Sequence, residues 1–393
     1  MNKYTLIIWL YFTIFFIDSA PITSKSNSIS LKKITTKLLL KEGLQFYKDH
    51  HMLKYQSIFV TDQARLISAK KRSENLTRSN VIGYYGEITV GNQAFRTLFD
   101  LGSSDLWIPS QNCTQHPCSI HRRFNERLSK TFRPINISYS VKYGAGSVYG
   151  TLGQDNVLVG EIESVGQIFG LAWKEEGSFF ETQEFDGIFG MGFNNLSSIK
   201  TPTTFSNMVE QKAVKDPCFG IYLERSDDAG HRGSLTLGGI DKTKFTGNLN
   251  YNNVSKFNGN YSVWIIDVDD ISINGHKLNF KTKKAIFDTG NDLILMPDKD
   301  AKIYHKFING SSFNNGTYFV PCRTTDLVAY IIGGISYNID QSDLVTGSYC
   351  YSSVQPAGDG DTWTFGDPFL RNVYSVYNIK NYSIGLAPVS KTA

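Results

Sequence analysis

One short pattern occurs twice in this sequence, and the repetition limits the possible folds more than any other feature. The first copy reads Leu98-Phe-Asp-Leu-Gly-Ser-Ser104, and the second reads Ile286-Phe-Asp-Thr-Gly-Asn291. Each copy sets an aspartate between the end of an apolar strand and a glycine, which presents a carboxylate at the tip of a tight loop. One Asp-X-Gly is ordinary turn chemistry. Two copies, each ending an apolar strand, predict a pair of lobes that meet at these loops.

The length and composition of the chain agree with two mainly β lobes. Its 393 residues exceed what a single hydrophobic core usually organises. Hydrophobic residues make up 41% and charged residues 19%, with many glycines and aromatics, as is typical of short strands joined by tight turns. Residues 205–214 and 299–307 are the best candidates for short helices. The net charge of +4 is too small to predict a nucleic-acid partner.

The N-terminus predicts export from the cytosol. A lysine near the start precedes an apolar run over residues 4–17, and the small residues Ser19 and Ala20 follow. This order is typical of a cleaved signal peptide, here residues 1–20. The run is shorter than the ~20 apolar residues of a spanning helix, so we expect no stable membrane anchor. An anchor or a buried N-terminal helix is the weaker interpretation.

Five cysteines in an exported chain allow two disulfides and leave one residue over. Cys113 and Cys118 are close enough in sequence to staple a short loop, and Cys322 with Cys350 could close a longer one. Cys218 would then remain, inside an apolar run typical of a strand. A small buried core residue is a better interpretation of Cys218 than a reactive or intermolecular thiol.

Potential N-glycosylation sites are dense in the chain, which favours passage through a secretory pathway. The asparagines of these Asn-X-Ser/Thr sequons are Asn75, Asn112, Asn136, Asn195, Asn253, Asn260, Asn309, Asn315 and Asn381. One sequon alone would be weak evidence, but their number supports the predicted signal peptide.

A basic segment follows the predicted signal peptide. Residues 30–55 predict a helix, because leucines recur between lysines along this stretch. The pair Lys70-Lys71, followed by Arg72, offers an exposed site for proteolytic processing. From residue 84 onward the sequence changes to short β-rich runs, so the mature part is expected to be mainly β.

The chain resembles the pepsin family of aspartic proteases over nearly its whole length after the leader. The segments from Phe99 to Ser110 and from Phe287 to Gly290 resemble the two catalytic loops of that family. Further segments are similar in order and spacing: Tyr143-Gly-Ala-Gly-Ser147 to the flap hairpin, Phe185-Asp-Gly-Ile-Phe-Gly190 and Trp363-Thr-Phe-Gly366 to the segments under the catalytic loops, and also Gly233-Ser-Leu-Thr-Leu-Gly-Gly-Ile-Asp241 and Tyr382-Ser-Ile-Gly-Leu-Ala-Pro388. The resemblance implies a bilobal, mainly β fold with a pseudo-twofold relation between the lobes.

The resemblance also implies a mechanism without metal, cofactor or covalent nucleophile. Asp100 and Asp288 would hold a water, one carboxyl acting as general base and the other protonating the scissile carbonyl oxygen. Two carboxylates so close together share a proton over the acidic range and titrate as a unit. The expected substrates are therefore peptides or proteins, and hydrophobic side chains are expected on both sides of the scissile bond.

Supporting residues follow from the same resemblance. Ser103 would hydrogen-bond Asp100, and Asn291 stands where the family more often has Ser or Thr beside the second aspartate. An amide can also donate to a carboxylate. Tyr143 would cover the substrate from the flap, with Trp107 as its indole partner. The remaining expected site residues are Gly102, Thr289, Gly290 and Gly144.

Leu101 is the departure from the family that matters most, because the family has threonine after the first aspartate. In relatives the two loops clasp each other through reciprocal hydroxyl hydrogen bonds to backbone, and leucine has no hydroxyl. Only Thr289 can make its half. A buried backbone group without a partner costs about 1 to 3 kcal/mol, so the fold is expected to survive. The same loss in positioning the aspartates would lower the rate by roughly tenfold to a hundredfold.

The basic segment is expected to act as an intramolecular inhibitor. Lys54-Tyr55 resembles the prosegment Lys-Tyr that reaches the catalytic pair in pepsin precursors, although a solvated charged helix is the plainer interpretation of Lys54. The expected organisation is a signal peptide over 1–20, a prosegment over 21–75, an N-terminal lobe over 76–250 and a C-terminal lobe over 251–393. The mature protein is expected to be a monomer, secreted or lysosomal/vacuolar.

Functions from other classes compete with this prediction. The strongest alternative is a binding or inhibitory protein on a pepsin-like scaffold that has lost catalysis, for which Leu101 and Asn291 are the grounds. Retention of both aspartates, both following glycines and Tyr143 favours the enzyme. A metalloenzyme or serine hydrolase is much weaker, because the chain has no His-Glu-X-X-His and no Gly-X-Ser-X-Gly.

Overall fold

The fold is described by a computed structural model over residues 72–78, 83–144, 146–225 and 232–390. The predicted signal peptide, the helix expected at 30–55 and the pair Lys54-Tyr55 lie outside these described residues. Within them, no helix has both the length and the apolar character needed to cross a bilayer.

Strands dominate the described chain. The strands of the N-terminal half are β1 (Arg72–Arg78), β2 (Tyr84–Val90), β3 (Gln93–Asp100), β4 (Leu106–Pro109), β5 (Arg133–Tyr143), β6 (Gly146–Val159), β7 (Ile162–Glu176), β8 (Gly187–Gly190), β9 (Cys218–Leu223) and β10 (Arg232–Leu237). The strands of the C-terminal half are β11 (Asn250–Asn253), β12 (Ile265–Val268), β13 (Asp270–Ile273), β14 (His276–Lys277), β15 (Lys283–Phe287), β16 (Ile294–Met296), β17 (Ser312–Asn314), β18 (Thr317–Phe319), β19 (Val328–Ile332), β20 (Ile335–Ile339), β21 (Val345–Thr346), β22 (Tyr351–Ser352), β23 (Val354–Pro356), β24 (Thr362–Phe365), β25 (Val373–Asn378) and β26 (Ser383–Pro388).

Helices are short and few in the described chain. The α-helices are α1 (Ser178–Glu181), α2 (Thr204–Glu210), α3 (Asp298–His305) and α4 (Asp367–Leu370), and the 3-10 turns are Cys118–Ile120, Glu126–Leu128, Asn194–Leu196 and Gln341–Leu344. Both predicted helices are confirmed as α2 and α3. Helix α2 begins where the Thr203 hydroxyl accepts from the Ser206 amide at 3.2 Å, a typical N-cap. It ends earlier than predicted, because Lys212 takes a positive φ of 54° that no helix accommodates.

The internal repeat seen in the sequence corresponds to a repeated unit of four strands. In the N-terminal half, β3 is parallel to β8, β8 is antiparallel to β4, and β4 is parallel to β7. The C-terminal half has the same pattern, with β15 parallel to β24, β24 antiparallel to β16, and β16 parallel to β23. Asp100 ends β3 and Asp288 directly follows β15. The two aspartates therefore occupy equivalent positions, and the mainly β, bilobal prediction is confirmed.

One large sheet continues from one half into the other. Its strand order is β11-β26-β25-β9-β10-β1-β2-β3-β8-β4-β7-β6-β5, so that β25 of the C-terminal half pairs with β9 of the N-terminal half. Smaller sheets, β12-β15-β24-β16-β23, β14-β13-β19-β20 and β17-β18-β22-β21, complete the C-terminal half. The predicted boundary between lobes at 250/251 stays a prediction, because this shared sheet includes strands from both sides of it.

Both predicted disulfides are present. The bond from Cys113 to Cys118 joins Cα atoms 5.7 Å apart, and the bond from Cys322 to Cys350 joins Cα atoms 4.9 Å apart. Cys218 takes part in neither bond, is 6% exposed and packs in a small cluster of apolar side chains. Its interpretation as a small buried core residue is confirmed.

Trp264 connects the cores of the two halves. Its side chain is fully buried, and its indole Nε1–H donates to the backbone oxygen of Met191 at 2.8 Å. The indole ring also packs on Phe193, with ring centroids 4.1 Å apart, and edge-on against Phe219 and Tyr377. Met191 follows β8 closely and its amide donates to the Asp100 backbone oxygen at 2.8 Å. The contact therefore lies directly beneath the first aspartate loop.

Replacing Trp264 with phenylalanine is expected to lower the free energy of unfolding by about 1 to 3 kcal/mol, because the buried Met191 oxygen loses its donor. Urea titrations followed by far-UV circular dichroism measure this change. Trp173→Phe is the matched control, because Trp173 is 44% exposed, and a change within about 0.5 kcal/mol is expected there. Equal losses for the two variants would contradict this account of Trp264.

Candidate active site

The first aspartate is held by the loop that follows β3. Asp100 is 1% exposed, and its Oδ1 accepts from the Gly102 amide at 2.9 Å. Its Oδ2 accepts from the Ser103 hydroxyl, as predicted. Donors from the loop itself thus fix the orientation of this carboxylate.

The second aspartate is held in the same way by the loop that follows β15. Asp288 is fully buried, and its Oδ1 accepts from the Gly290 amide at 2.9 Å. The side-chain oxygen of Asn291 accepts from the Leu293 amide at 3.1 Å, which orients its amide group. The expected donation from the Asn291 amide nitrogen to Asp288 is not among the hydrogen bonds of the described residues.

The two loops cross so that each glycine faces the aspartate of the other half. A methyl group built on Gly290 would lie 2.7 Å from Oδ1 of Asp100 and 3.2 Å from Oδ1 of Asp288. A methyl group built on Gly102 would collide with the Asp288 carboxylate. Only glycine lets the loops approach so closely. The two carboxylates consequently lie beside each other.

A single hydroxyl group ties the two loops together. Thr289 Oγ1 accepts from the Leu101 amide at 3.0 Å and donates to the Phe99 backbone oxygen at 2.6 Å. All three residues are buried. This is the half of the clasp that Thr289 was expected to make.

The other half of the clasp is missing, as the leucine implied. The Leu101 side chain is fully buried and belongs to the main hydrophobic cluster. Within the part of the chain that the structure describes, the Thr289 amide has no hydrogen-bond acceptor. The clasp therefore depends on one hydroxyl instead of two, and a buried N–H group is left unsatisfied.

Thr289→Val removes that hydroxyl at nearly constant volume and leaves two further backbone groups without partners. We expect it to lower the free energy of unfolding by about 2 to 4 kcal/mol, because each unsatisfied buried group costs about 1 to 3 kcal/mol. Urea unfolding at a fixed pH measures the loss.

Thr97→Val is the matched control for this substitution. Thr97 lies on β3, is fully buried, and its hydroxyl has no partner among the described residues. Removing that hydroxyl is expected to be neutral or stabilising. A Thr289→Val protein as stable as Thr97→Val would show that the remaining half of the clasp contributes nothing.

A long hairpin of β5 and β6 forms the predicted flap. Its strands pair from Arg133 to Tyr143, and Gly144 lies in the turn. The Tyr143 hydroxyl accepts from the Trp107 indole at 2.8 Å, which confirms their predicted partnership. Burial raises the pKa of Tyr143 well above its usual value, and the charge of Asp105 adds to this effect. The hydroxyl is therefore neutral over the acidic and neutral range.

The flap and the first aspartate loop enclose a cavity of about 400 Å³, here called the cleft cavity. Its lining comprises Gly102, Ser103, Ser104, Asp105, Ser140, Val141, Lys142, Tyr143, Ser147, Tyr149, Leu196, Ser198 and Lys200. The volume suits a peptide side chain, and several hydroxyl groups face it. Among the described residues, no group of three or more His, Cys, Asp or Glu side chains is arranged to hold a metal ion.

A buried acid lies on β7, opposite Val148 of the flap strand β6. Glu175, near the end of β7, is 5% exposed, and burial raises its pKa to about 8. Its Oε1 lies 3.2 Å from Sγ of Cys118. A disulfide sulfur carries no hydrogen, so only a protonated carboxyl can make a hydrogen bond there. Its Oε2 is 4.0 Å from Nδ1 of His121, whose own pKa is lowered by burial. The Glu175 carboxyl is thus neutral in the folded protein at moderately acid pH, and burial disfavours the charged form of His121.

Glu175 makes the stability of the flap region depend on pH in a definite direction. Between its ordinary pKa of 4.5 and about 8, the unfolded chain releases this proton and the folded chain keeps it. The contribution of the buried, neutral Glu175 carboxyl to the free energy of unfolding is therefore complete below pH 4.5. It decreases as the pH rises above 4.5 and is lost as the pH passes through about 8. Glu175→Gln is expected to match the wild type at pH 4 and to exceed it by about 2 to 4 kcal/mol at pH 7.5.

Unfolding titrations at both pH values test this prediction. Glu163→Gln, an exposed position on the same strand, is the matched control and is expected to change little at either pH. A pH-independent effect of Glu175→Gln would contradict the burial of a neutral acid.

Sequence reasoning missed several residues around the site. Asp105 stood in the motif without a role, yet its carboxylate accepts from the Ser197 hydroxyl at 2.6 Å and from the Ser198 amide at 2.8 Å. Lys142 and Lys200 line the cleft cavity, and Glu175 pairs with Val148 of the flap strand β6. Lys142 could have been found from its position next to Tyr143. The others come together only through contacts between distant parts of the chain.

Comparison with known proteins agrees with this geometry. The eukaryotic aspartyl protease family matches residues 83–389. A pepsin A from Rhinolophus ferrumequinum is 35% identical over 372 residues, which cover 91% of this chain and 94% of that protein. A cathepsin E-A from Xenopus laevis is 36% identical over 86% of this chain and 85% of its own length. An aspartic-type endopeptidase, ctsD, from Aspergillus fumigatus is 33% identical over 85% of this chain and 70% of that protein. The chain therefore belongs to the eukaryotic aspartyl protease family.

Proposed function

We propose that this chain is an aspartic endopeptidase that hydrolyses peptide bonds with a water activated by Asp100 and Asp288. The observation that carries the proposal is the crossing of the two loops, in which Gly102 packs on one carboxylate and Gly290 on the other. This crossing brings two buried acids beside each other. The pepsin, cathepsin and endopeptidase names of its relatives support the same reaction class.

The geometry supports a general acid–base reaction. Two carboxylates so close together hold one proton between them, because both cannot ionise cheaply. The ionised member takes a proton from the attacking water, and the protonated member donates to the carbonyl oxygen of the substrate. The Gly102, Ser103 and Gly290 donors keep both carboxyl groups fixed while this happens. Such fixed donors need no rearrangement in the transition state.

The flap has a part in the same proposal. Tyr143 lines the cleft cavity together with Ser103 and is held by the Trp107 indole. A hairpin that closes over the substrate excludes water and orders the scissile bond. Tyr143 and Gly144 are accordingly proposed to contact substrate, and Trp107 to position Tyr143.

We propose that the protein is made as a zymogen and exported. In this proposal residues 1–20 are a signal peptide, residues 21–75 are an inhibitory prosegment with Lys54-Tyr55 at the catalytic pair, and the lobes span 76–250 and 251–393. At acid pH the carboxylates that hold the lysines of the prosegment become protonated, and the prosegment detaches. Two disulfides support passage through an oxidising compartment. Exposed sequon asparagines such as Asn112, Asn136 and Asn253 support glycosylation there. The protein would then act as a monomer, outside the cell or in a lysosome or vacuole.

A second candidate is a binding or inhibitory protein with little or no catalysis. The specific observation in its favour is the half-made clasp, in which Leu101 offers no hydroxyl and the Thr289 amide is unsatisfied among the described residues. A clasp with one hydroxyl holds the aspartates less firmly than one with two. We favour the enzyme because loop donors orient both carboxylates: Gly102 and Ser103 donate to Asp100, and Gly290 donates to Asp288.

Acid activation tests the proposal directly. The precursor without residues 1–20 is shifted from pH 7 to about pH 4, and its mass and the cleavage of a quenched peptide library are followed. We expect loss of an N-terminal segment, then cleavage that pepstatin blocks and that Asp288→Asn abolishes. Leu101→Thr is expected to raise the rate of cleavage by up to about tenfold, since it can restore the missing hydroxyl.

The binding protein is the contrasting outcome. A folded chain that cleaves no peptide between pH 3 and pH 7, and that still binds pepstatin or peptide, would overturn the enzyme and favour the second candidate. Circular dichroism at each pH shows whether the chain is folded when it is assayed.

A further inference from the structure

The cleft cavity is bordered by two lysines. Lys142 and Lys200 are both exposed and both line it. Within the described residues, neither ammonium group has a carboxylate within 4 Å. The cavity thus has two positive charges that no ion pair among the described residues neutralises.

The fold holds both lysines at fixed places on the cavity wall. Lys142 directly precedes Tyr143 on β5 and pairs with Ser147 across the hairpin. Lys200 lies in a turn with a positive φ of 59°. Asp105 anchors that turn by accepting from Ser197 and Ser198, as described above. The Ser197 hydroxyl in turn accepts from the Thr201 amide at 3.2 Å. The turn that carries Lys200 is therefore a defined wall of the cavity.

Few other charges oppose these lysines. Asp105 is 3% exposed, its carboxylate is occupied by the turn, and burial raises its pKa. Asp100 is not a lining residue of the cavity, and its carboxylate accepts from Gly102 and Ser103, which are. The other titratable groups on the wall are the phenols of Tyr143 and Tyr149. Lys174 lies over the Tyr149 ring and is paired with Glu176. The remaining polar groups are mostly serine hydroxyls, which can donate to an anion.

We propose that the cleft cavity binds an acidic side chain of the substrate, so that peptides with Asp or Glu at one defined position near the scissile bond are preferred. Carboxylate oxygens would accept from the ammonium groups of Lys142 and Lys200 and from neighbouring hydroxyls. Charge-assisted hydrogen bonds of this kind are stronger than neutral ones. The inference rests on the proposed endopeptidase function and adds a substrate class to it.

The size of the preference follows from the exposure of the lysines. Partly exposed ion pairs contribute modestly, so a glutamate peptide is expected to have a kcat/KM about threefold to tenfold above its glutamine counterpart. The preference also has a pH signature. Glutamate and aspartate in peptides have pKa values near 4.3 and 3.9. The preference is therefore expected at pH 5.5 and is lost as pH falls to 3, because the substrate carboxyl becomes neutral.

Paired peptides test the inference on the acid-activated protein. The two peptides of a pair differ at one position only, where one has glutamate and the other has glutamine. That position is one of the three on either side of the cleaved bond. The measured quantity is the ratio of the two kcat/KM values at pH 5.5 and at pH 3. Lys142→Gln and Lys200→Gln together are expected to reduce the ratio at pH 5.5 to about one. Lys142→Glu and Lys200→Glu together are expected to invert the ratio and to favour a lysine peptide, because the cavity wall then has two negative charges. Lys306→Gln, an exposed lysine outside the cavity, is the matched control and keeps the ratio.

The outcomes separate this inference from the proposed function. If glutamate and glutamine peptides are cleaved at equal rates at every position, the inference is wrong and the endopeptidase stands. If no peptide is cleaved, the proposed function fails, and binding decides the inference. In that case fluorescence polarisation of labelled glutamate and glutamine peptides is measured on the Asp288→Asn chain with and without the two lysine substitutions. Equal affinities at pH 5.5 would then overturn it.

Discussion

The approach of two glycines to two carboxylates is the constraint on which the site depends. Gly102 lies against Asp288, and Gly290 lies against Asp100, so a side chain at either glycine would push the halves apart. Everything around the loops maintains this approach. The four-strand units deliver each aspartate at a strand end, Trp264 connects the cores beneath, and the Thr289 hydroxyl binds one loop to the other. The site is therefore a property of the contact between halves and belongs to neither half alone.

Local signals in the sequence, together with the resemblance to the pepsin family, predicted the fold class and the position of both aspartates at strand ends. The repeated apolar-Asp-X-Gly pattern identified both strand ends, and the disulfides followed from the number and spacing of the cysteines. The end of α2 was less predictable. The helix ends at Glu210, and Lys212 has a positive φ that is unusual for a lysine. Likewise, the continuation of one sheet across both halves depends on the pairing of β9 with β25, which are distant in sequence.

The surroundings of the aspartates could not be predicted for a physical reason. Asp105 stands five residues after Asp100, but its hydrogen-bond donors come from a turn more than ninety residues later. The pKa of Glu175 depends on burial and on the nearby Asp186, and neither is visible in the letters around it. Lys200 lines the cleft cavity because that same turn forms part of the cavity wall. The burial of a side chain and the charges around it depend on contacts between distant parts of the chain, whereas a sequence motif describes one strand and one turn.

The single hydroxyl between the loops makes the two copies of the repeat unequal. Thr289 contacts the amide of Leu101 and the carbonyl of Phe99, so one copy supplies both hydrogen bonds of the half-made clasp. The Leu101 side chain instead adds its volume to the main hydrophobic cluster. A leucine at position 289 would remove both hydrogen bonds of that hydroxyl, whereas the leucine at position 101 is accommodated by packing. The two copies therefore differ in how much the contact between the halves depends on them.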